Sequence, residues 1–433
     1  MADPSVLAAD EEPQSSTNTK IPLIALMAAI RRANRTDRAR QAALEATPEP
    51  EPQKNRADDE AEPDEMIVQE LDGGLVFQRA SAPFITKHFE NNAQMWAAPL
   101  NKEDYMQLQR QLSVTDASQG DTAYWMLTRK EDPETIVSSC TAYIRDAMIN
   151  VGDGMHSVNA VVITDIFTIP EERRKGMATK LLKKVQETLD KREKRVEFSL
   201  IWSDNRPEFY DRLGWKAQPA NTLRIRLPKD MAVEAPAETN ELEYASIARM
   251  AEIVKRDIKM TKCRFTYMRD KTKIIGQLIP THKLLRWHAV RTVTMKGLLA
   301  GCDPIIGEGG WLGASWLHPD NRTQVWAWWA PDYRTRRLFV ARLITVRLDG
   351  MEKGIKELLK AAVAEASLLG FREVVMWEPT DQVIKAAGLL IPELPEGTKT
   401  FVEERIDMVP CLRWHGGEER AGGIIEPEFY GWS

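Results

Sequence analysis

Cysteine is scarce in this sequence, and long apolar runs are missing from it. Four cysteines are scattered over 433 residues, without a Cys-x-x-Cys pair, which disfavours a disulfide framework and predicts no bound metal. No run reaches the ~18–20 apolar residues that a membrane span needs. The apolar run Ile21–Ile30 follows acidic residues, so a signal peptide is not expected. We therefore expect a cytoplasmic protein without a membrane partner.

An excess of positive charge is also missing. The net charge of -5 argues against a nucleic-acid partner. The 433 residues leave room for two domains and a tail, and a hydrophobic content of 43% is enough to build cores. Residues 1–65 include the acidic, proline-broken segment Pro48–Glu65 and are predicted to be a disordered tail. Ile21–Ala46 is predicted to form either a loosely held helix in this tail or a helix that docks a partner.

Residues 66–230 have the apolar periodicity of a mixed α/β domain. The predicted strands are Leu75–Ala80, Thr122–Thr128, Thr135–Arg145, Val161–Ile169, Val196–Asp204 and Thr222–Leu227. The predicted helices are Ile85–Trp96, Lys102–Leu112, one starting near Gly176 and a short one ending at Gly214. Asp146–Asn159 is expected to be a loop, and Thr222–Leu227 is expected to close the domain. This order predicts a mixed sheet flanked by helices.

Residues 231–433 are predicted to form a second α/β domain that repeats the first in degenerate form. Its predicted elements are the strands Leu338–Arg347 and Arg372–Trp377 and the helices Gly354–Leu369 and Asp381–Ala387. Met351 and Glu352 are expected to stand where Arg173 and Arg174 stand in the first domain, so the repeat would lack phosphate-binding charge. Chance similarity of ordinary α/β patterning is the alternative.

The stretch from Arg173 to Ala178 lies between a predicted apolar strand and a predicted helix. Gly176 allows a tight turn and a close approach of the backbone to a ligand. The first amides of the following helix have no partner within the helix, and three consecutive cations precede the glycine. These features favour a phosphate or pyrophosphate group. The spacing is neither that of a nucleotide P-loop nor that of the dinucleotide fingerprint.

The pattern Arg-x-x-Gly-x-Ala after an apolar strand resembles the acetyl-CoA signature of the GNAT acyltransferase superfamily. A second block, Phe209–Trp215, is similar to the family's Tyr-x-x-Leu-Gly-aromatic pattern and follows another apolar strand. The resemblance implies a GNAT acyltransferase fold followed by a second, degenerate GNAT-like domain that binds no CoA. It also implies acetyl-CoA as the co-substrate. A basic, solvated turn on another α/β fold is the alternative.

The resemblance further implies which backbone groups bind acetyl-CoA. The pyrophosphate would be held by the loop and the first helical turn, through Arg173, Arg174, Lys175, Gly176, Met177, Ala178 and Thr179. Pantetheine would pair like an extra strand with the edge of Phe167, Thr168 and Ile169, where the two central strands diverge. The Thr168 amide is the candidate donor to the thioester oxygen.

Tyr210 and Asp165 are the candidate catalytic residues. Tyr210 matches the tyrosine of the superfamily and is the candidate general acid, or else a tyrosine packed on the core. Asp165 lies in the apolar cofactor strand, on the face of Ile163 and Phe167 by simple alternation. A carboxylate there is either the general base or paired with a structural cation. Asp204 is expected to contact the substrate or to cap the Tyr210 helix.

Tryptophans are concentrated in the second domain, and Trp326 and Trp328 are predicted to face the same way on one strand. They would form either a hydrophobic wall for a substrate or a tryptophan-rich core. Arg342 and Arg413 are candidate ligands of a substrate carboxylate, and a general surface ion-pair role is the default for both.

Several short blocks resemble the fungal lysine N-acetyltransferase family, which acts in lysine catabolism. They are Ile166–Arg173, Trp202–Tyr210, Trp326–Trp329, Arg405–Trp414 and Glu428–Trp432. The resemblance implies acetyl transfer from acetyl-CoA to the side-chain amine of free L-lysine. The alternatives are another amine, such as a polyamine or an amino sugar, and a non-catalytic CoA-binding scaffold.

Overall fold

The computed structural model describes residues 68–191, 195–204, 207–229, 231–245, 247–268, 274–300, 312–319, 324–346, 350–415, 422–425 and 427–432. The tail predicted over residues 1–65 lies outside the described residues. Within them, the chain forms two mixed β-sheets, of ten and seven strands, with helices packed against both. The predicted mixed α/β fold class is therefore confirmed.

The first half of the chain follows the predicted order of elements. It contains β1 (Val68–Leu71), β2 (Leu75–Arg79), α1 (Ala82–Trp96), α2 (Lys102–Ser113), β3 (Thr122–Arg129), β4 (Ser138–Asn150), β5 (Met155–Thr168), α3 (Met177–Leu189), β6 (Val196–Ser203), α4 (Pro207–Asp211), β7 (Lys216–Ala217) and β8 (Asn221–Arg226). The predicted loop Asp146–Asn159 is wrong, because β4 and β5 continue through it as a hairpin paired up to Asn150 and Met155. Gly152 and Gly154, both at positive φ, confine the turn to residues 151–154.

The second half supplies the remaining helices and strands. They are β9 (Leu242–Ala245), α5 (Ile247–Tyr267), β10 (Ile274–Leu278), α6 (His282–Ala300), β11 (Gly313–Leu317), β12 (Gln324–Asp332), β13 (Arg337–Val346), α7 (Met351–Leu368), β14 (Glu373–Trp377), α8 (Asp381–Leu390), β15 (Lys399–Glu404), β16 (Val409–Trp414) and β17 (Gly422–Ile424). Short 3₁₀ turns lie at Pro170–Glu172, Ile391–Glu393 and Phe429–Gly431.

The two sheets exchange strands. β8 pairs with β14 and β15 in the seven-stranded sheet, and β16 pairs with β6 and β7 in the ten-stranded sheet. The prediction that Thr222–Leu227 closes the first sheet is therefore wrong. Alternation identifies a strand but not its partner, and here Leu223 and Ile225 are buried in the core of the seven-stranded sheet. The domain boundary predicted at residue 230 stays a prediction, since each sheet contains at least one strand from the other side of that boundary.

A buried polar network fixes β16 to the first sheet. Arg413 donates to both carboxylate oxygens of Asp190, at 2.6 and 2.7 Å. The His415 ring lies 2.8 Å from Asp190 and 2.9 Å from the Ser199 hydroxyl, which accepts a hydrogen bond from Trp215. Arg413 was a candidate substrate ligand, but its guanidinium forms this ion pair, which is partly buried and so differs from the surface ion pair expected as the default.

The network contains a serine–histidine–aspartate arrangement, yet it cannot act as a nucleophilic triad. Ser199 and His415 are completely buried, so no substrate reaches the hydroxyl. Burial lowers the pKa of His415 to about 4, so the ring is neutral near pH 7. Although burial opposes it, the hydrogen bonds from Arg413 and His415 lower the pKa of Asp190. The arrangement is therefore structural.

We predict that Leu412→Ala destabilises the ten-stranded sheet by about 2–5 kcal/mol, because it leaves a cavity where β16 packs on β6. Leu412 is 3% exposed, whereas Val402 on β15 is 44% exposed. Val402→Ala is the control and should change the free energy of unfolding by less than about 0.5 kcal/mol. Denaturant titration measures both variants. Equal stabilities of the two variants would contradict the packing of Leu412 of β16 against β6.

We also predict that His415 makes the fold sensitive to acid. Its pKa in the fold, about 4, lies below the ordinary value of 6.5, so the unfolded chain binds the proton more readily. The stability it contributes is present above pH 6.5 and lost as the pH falls towards 4, by about 1.4 kcal/mol per pH unit. His415→Asn should be less stable at pH 7, and its deficit should shrink on acidification. A deficit that does not change with pH would refute this account.

Candidate active site

The two central strands of the first sheet diverge where the sequence predicts a cofactor site. β5 and β6 pair in parallel from Asn159 opposite Val196 to Val162 opposite Leu200. Both strands continue past this point, to Thr168 and Ser203, but the described ladder contains no further pairs between β5 and β6. The edge of β5 over its last residues is therefore available to an extended ligand.

A bulge in β5 decides the direction of Asp165. The register against β4 shifts between Thr164, opposite Thr141, and Phe167, opposite Ser139, and Asp165 has φ of 54°. Ile163 packs in the core beneath α3, whereas the Asp165 carboxylate accepts a hydrogen bond from Thr141.

The expectation that Asp165 shares a face with Ile163 is therefore wrong, because the bulge interrupts the alternation. Phe167 also lies on the Asp165 side, where its ring contacts Trp96 of α1. The carboxylate consequently faces α1 and α2, on the opposite side of the sheet from α3.

The loop after β5 has the backbone expected of an anion site. Gly176 is the N-cap residue of α3, with φ of 81° and no side-chain cap, and Arg174 has φ of 62°. Left-handed residues of this kind turn consecutive N–H groups into one concavity. A Cβ atom at Gly176 would meet no atom within 4 Å, so backbone conformation rather than crowding favours glycine. The loop fits a phosphate group.

Side chains hold this loop in place. Arg129 of β3 donates to Glu172 at 2.9 Å, and Lys175 lies 3.5 Å from the same carboxylate. Arg173 donates to the Thr168 carbonyl at 3.0 Å and lies over the Phe167 ring. The predicted group of cations is thus present, with Arg173 linking the loop to the end of β5.

The Thr168 amide points towards the gap between β5 and β6. The next amide, that of Ile169, donates to the Val137 carbonyl on the β4 side. Because successive N–H groups of a strand point to opposite sides, the Thr168 N–H is directed away from β4. This orientation allows the donor role expected from the sequence.

Asp165 has a perturbed carboxyl group. Burial raises its pKa to about 6, although the hydrogen bond from Thr141 opposes the rise. The carboxylate therefore takes up and releases protons near neutral pH. Among the residues that the structure describes, no cation perturbs this pKa, so the alternative of a structural cation partner gains no support there.

His88 was missed by sequence reasoning. It is 1% exposed on α1, with its ring nitrogens 2.8 Å from Ser139 and 3.0 Å from Thr141, the residue that donates to Asp165. Burial lowers the pKa of His88 to about 3, so the ring is neutral. The predicted helix contained this histidine, but only tertiary packing brings it within one hydroxyl group of Asp165.

Tyr210 lies on α4, against the core shared with α3. Its ring contacts Phe209 edge-on, with centroids 5.1 Å apart, and it is only partly buried. Burial raises the pKa of its hydroxyl, and Asp204 adds to the rise, so the phenol keeps its proton at neutral pH. Tyr210 and Asp165 therefore lie on opposite faces of the diverging strands.

The second half of the chain contributes charge near Asp165. Burial raises the pKa of Asp204, Arg334 opposes the rise, and Asp407 adds to it. Asp204 in turn raises the pKa of Asp165. Arg334 lies in the turn after β12 and Asp407 just before β16, and neither was predicted. These influences link three carboxylates with Arg334 at this end of the sheet, and Asp407 also influences the guanidinium of Arg405.

Three of the predicted substrate residues instead belong to the core. Trp326 and Trp328 are 1% and 2% exposed and pack in the same core, so the core alternative holds. Arg342 is completely buried, where it donates to both oxygens of Asp257 at 3.1 Å and pairs with Glu428. A buried guanidinium paired in this way serves structure, so its predicted role in substrate binding is corrected.

The second domain repeats the glycine-capped turn, but at Gly350. This residue has φ of 71° and caps α7, so Met351 corresponds to Met177 and not to Arg173 as expected. Gly354 lies inside α7 beneath Trp316. Phe429 stacks on Phe339, with ring centroids 4.0 Å apart, where pairing of β13 with β14 ends. The segment around Phe429 thus packs beside the end of the β13–β14 ladder.

The described part of the chain contains no cluster of metal-binding side chains. Likewise, none of the helices described there is long and apolar enough to cross a membrane.

Comparison with known proteins was made by sequence and by structure. Residues 86–217 match the model of the acetyltransferase (GNAT) domain, and residues 225–433 match the LYC1 GNAT-like C-terminal domain. No curated protein matches the chain significantly.

Solved structures show only distant likeness. A GCN5-related N-acetyltransferase from Kribbella flavida is 14% identical, with 79% of this chain and 72% of that chain covered and a TM-score of 0.44. One from Anabaena variabilis ATCC 29413 is 11% identical, with 78% and 72% covered and a TM-score of 0.44. Eis1 from Mycobacterium abscessus is 15% identical, with 78% and 73% covered and a TM-score of 0.40. On the two sequence-model matches, this chain is a GNAT-type N-acetyltransferase with two GNAT-like domains in tandem, and it resembles the LYC1 type.

Proposed function

We propose that this protein transfers an acetyl group from acetyl-CoA to a small primary amine, and that this amine is the side chain of free L-lysine. One observation carries the proposal. β5 bulges at Asp165 and diverges from β6 immediately before the glycine-capped start of α3. An extended thioester and an amine could therefore meet at the same point, from opposite faces of the sheet.

The residues around Gly176 would hold acetyl-CoA, which supplies an activated acetyl thioester when bound. The N–H groups from Arg174 to Thr179 would bind the pyrophosphate, with the Arg173 side chain and the Thr179 hydroxyl assisting. The β5 edge from Phe167 to Ile169 would pair with the amide groups of pantetheine. The exposed loop and the tightly turned backbone support this assignment.

Three groups of the chain would take part in direct acetyl transfer, and the protonation states of Asp165 and Tyr210 support their roles. Asp165 would accept a proton from the substrate's ammonium group. The pKa of such a group is ~10.4. The Thr168 N–H would donate a hydrogen bond to the carbonyl oxygen of the acetyl group. Tyr210, on the other face, would donate a proton to the departing sulfur. The network from His88 through Thr141 would keep Asp165 oriented.

Charge supports a cationic acceptor. Asp204 influences Asp165 electrostatically and is itself influenced by Asp407, and these carboxylates would attract a protonated amine. Arg334 is the nearby cation that could pair with the carboxylate of an amino acid. An acceptor carrying both an ammonium and a carboxylate suits this arrangement, and the short blocks that resemble the lysine N-acetyltransferase family favour lysine among amino acids.

There are two alternatives to acetylation of free lysine. A polyamine or an amino sugar would use the acidic groups without Arg334, so the acceptor would change and the chemistry would not. A non-catalytic CoA-binding scaffold would need neither Asp165 nor Tyr210, and the perturbed carboxyl group of Asp165 favours the enzyme.

We expect the protein to release CoA from acetyl-CoA with L-lysine as acceptor, and the product to carry the acetyl group on the side-chain nitrogen. The measurement is a thiol-release assay over a panel of amines, with products identified by mass spectrometry. Turnover only with another amine would retain the acetyl-transfer proposal and reject lysine. Tight acetyl-CoA binding without turnover would favour the scaffold, and absence of acetyl-CoA binding would refute the site at Gly176.

We also expect the pH dependence of kcat/KM to show the titration of Asp165. Protonation of this group, whose pKa is raised to about 6, should depress the rate below that pH. Asp165→Asn should lower kcat by about 10²–10⁴-fold and remove the break near pH 6. Tyr210→Phe should lower kcat while acetyl-CoA still binds, and Phe209→Leu is its neighbouring control. An unchanged break in Asp165→Asn would exclude Asp165 as the base.

A further inference from the structure

A cleft of about 900 Å³ lies at one end of the seven-stranded sheet, where β8 ends and β13 and β14 begin. Five of its lining side chains are cationic and one is acidic: Arg226, Lys229, Arg336, Arg337, Arg372 and Glu373. This concentration of positive charge occurs in a chain whose net charge is -5. Gly350 and the start of α7 follow the opposite end of β13, so the cleft is separate from the repeated glycine-capped turn.

A buried glutamate holds the arginines in a fixed row. Glu373 is 7% exposed and lies opposite Arg337 on one neighbouring strand and Arg226 on the other. Arg337 donates to its carboxylate at 2.7 Å and Arg226 at 2.8 and 3.1 Å. Arg224, outside the cleft, lies 3.4 Å from the same group and pairs with Glu403 at 2.8 Å. Of the cleft arginines, Glu373 thus orients Arg226 and Arg337, and one carboxylate faces two guanidinium charges.

The floor of the cleft is apolar. Leu227 and Phe371 are buried beneath it, and Met231 is 44% exposed at its side. Arg336 is fixed above the floor by a hydrogen bond to the Gly370 carbonyl at 3.0 Å. A concave surface with an apolar floor and a few fixed polar groups is typical of sites for small organic ligands.

We infer that this cleft binds a small organic phosphate of nucleoside-diphosphate size. Guanidinium groups match phosphate oxygens in pairs, and those held by Glu373 lose little conformational freedom on binding. The apolar floor takes up the non-phosphate part. The volume greatly exceeds that of inorganic phosphate, and a concave site of this size is better filled by a compact ligand than by an extended acidic peptide. The inference does not depend on the proposed acetyl transfer.

The test is calorimetric titration of ADP into the full chain without CoA, because CoA itself carries a nucleoside diphosphate that the cleft would bind. The ADP binding that the unaltered chain shows and the cleft variant loses reports the cleft, and we expect its affinity to fall as salt is added. Arg336→Glu/Arg372→Glu should weaken ADP binding by at least about ten-fold, because two phosphate donors become repulsive charges. Arg110→Glu, an exposed position on α2, is the matched control and should bind ADP normally.

Several outcomes would overturn the inference. They are absence of ADP binding at millimolar concentration, equal binding by the double variant, and equal loss in the Arg110→Glu control. Binding of inorganic phosphate or a pentaglutamate peptide as tight as that of ADP would reject the ligand class. Thermal unfolding without ligand checks the fold of each variant. If the double variant does not fold, Arg372→Glu alone decides, since this side chain is exposed.

Discussion

The divergence of β5 from β6 is the constraint on which the site depends. Parallel strands normally continue their ladder, and backbone groups that leave it must find other partners. Here the ladder ends at Val162, and the bulge at Asp165 turns that carboxylate to the face of α1 and α2. The last residues of β5 therefore expose the Thr168 amide and direct Asp165 to one face of the sheet. Tyr210 of α4 lies on the other face.

The exchange of β8 and β16 makes this geometry a property of the whole described chain. β16 covers the far side of β6, and its Arg413 and His415 meet Asp190 and Ser199 inside the first core. The exchanged strands also bring Asp407 and the turn that carries Arg334 towards Asp204. The charges around the proposed acceptor thus come from both halves of the chain. The two matching family models likewise divide the chain between residues 217 and 225.

The second domain repeats the glycine-capped helix start of the first. Gly350 caps α7 as Gly176 caps α3, and the β13–β14 ladder ends at Val340 opposite Met376, one residue before the end of β14. Phe429 packs against Phe339 and Trp377 at that point, and Glu428 pairs with Arg342. Aromatic packing and a buried ion pair thus lie beside the end of this ladder. That the second domain binds no CoA stays a prediction.

Local sequence determined the strand, the basic turn, Gly176 and the helix that follows, because backbone conformation and helix geometry depend on neighbouring residues. It also determined the alternation that puts Trp326 and Trp328 on one face, and the short helix that carries Tyr210. It could not determine the partners of β8 and β16, since alternating apolar residues fit any half-buried sheet. Nor could it orient Asp165, place His88 one hydroxyl away, or pair Arg342 with Asp257 and Arg413 with Asp190. Those depend on a bulge and on contacts between residues up to 223 positions apart, which only the tertiary structure brings together.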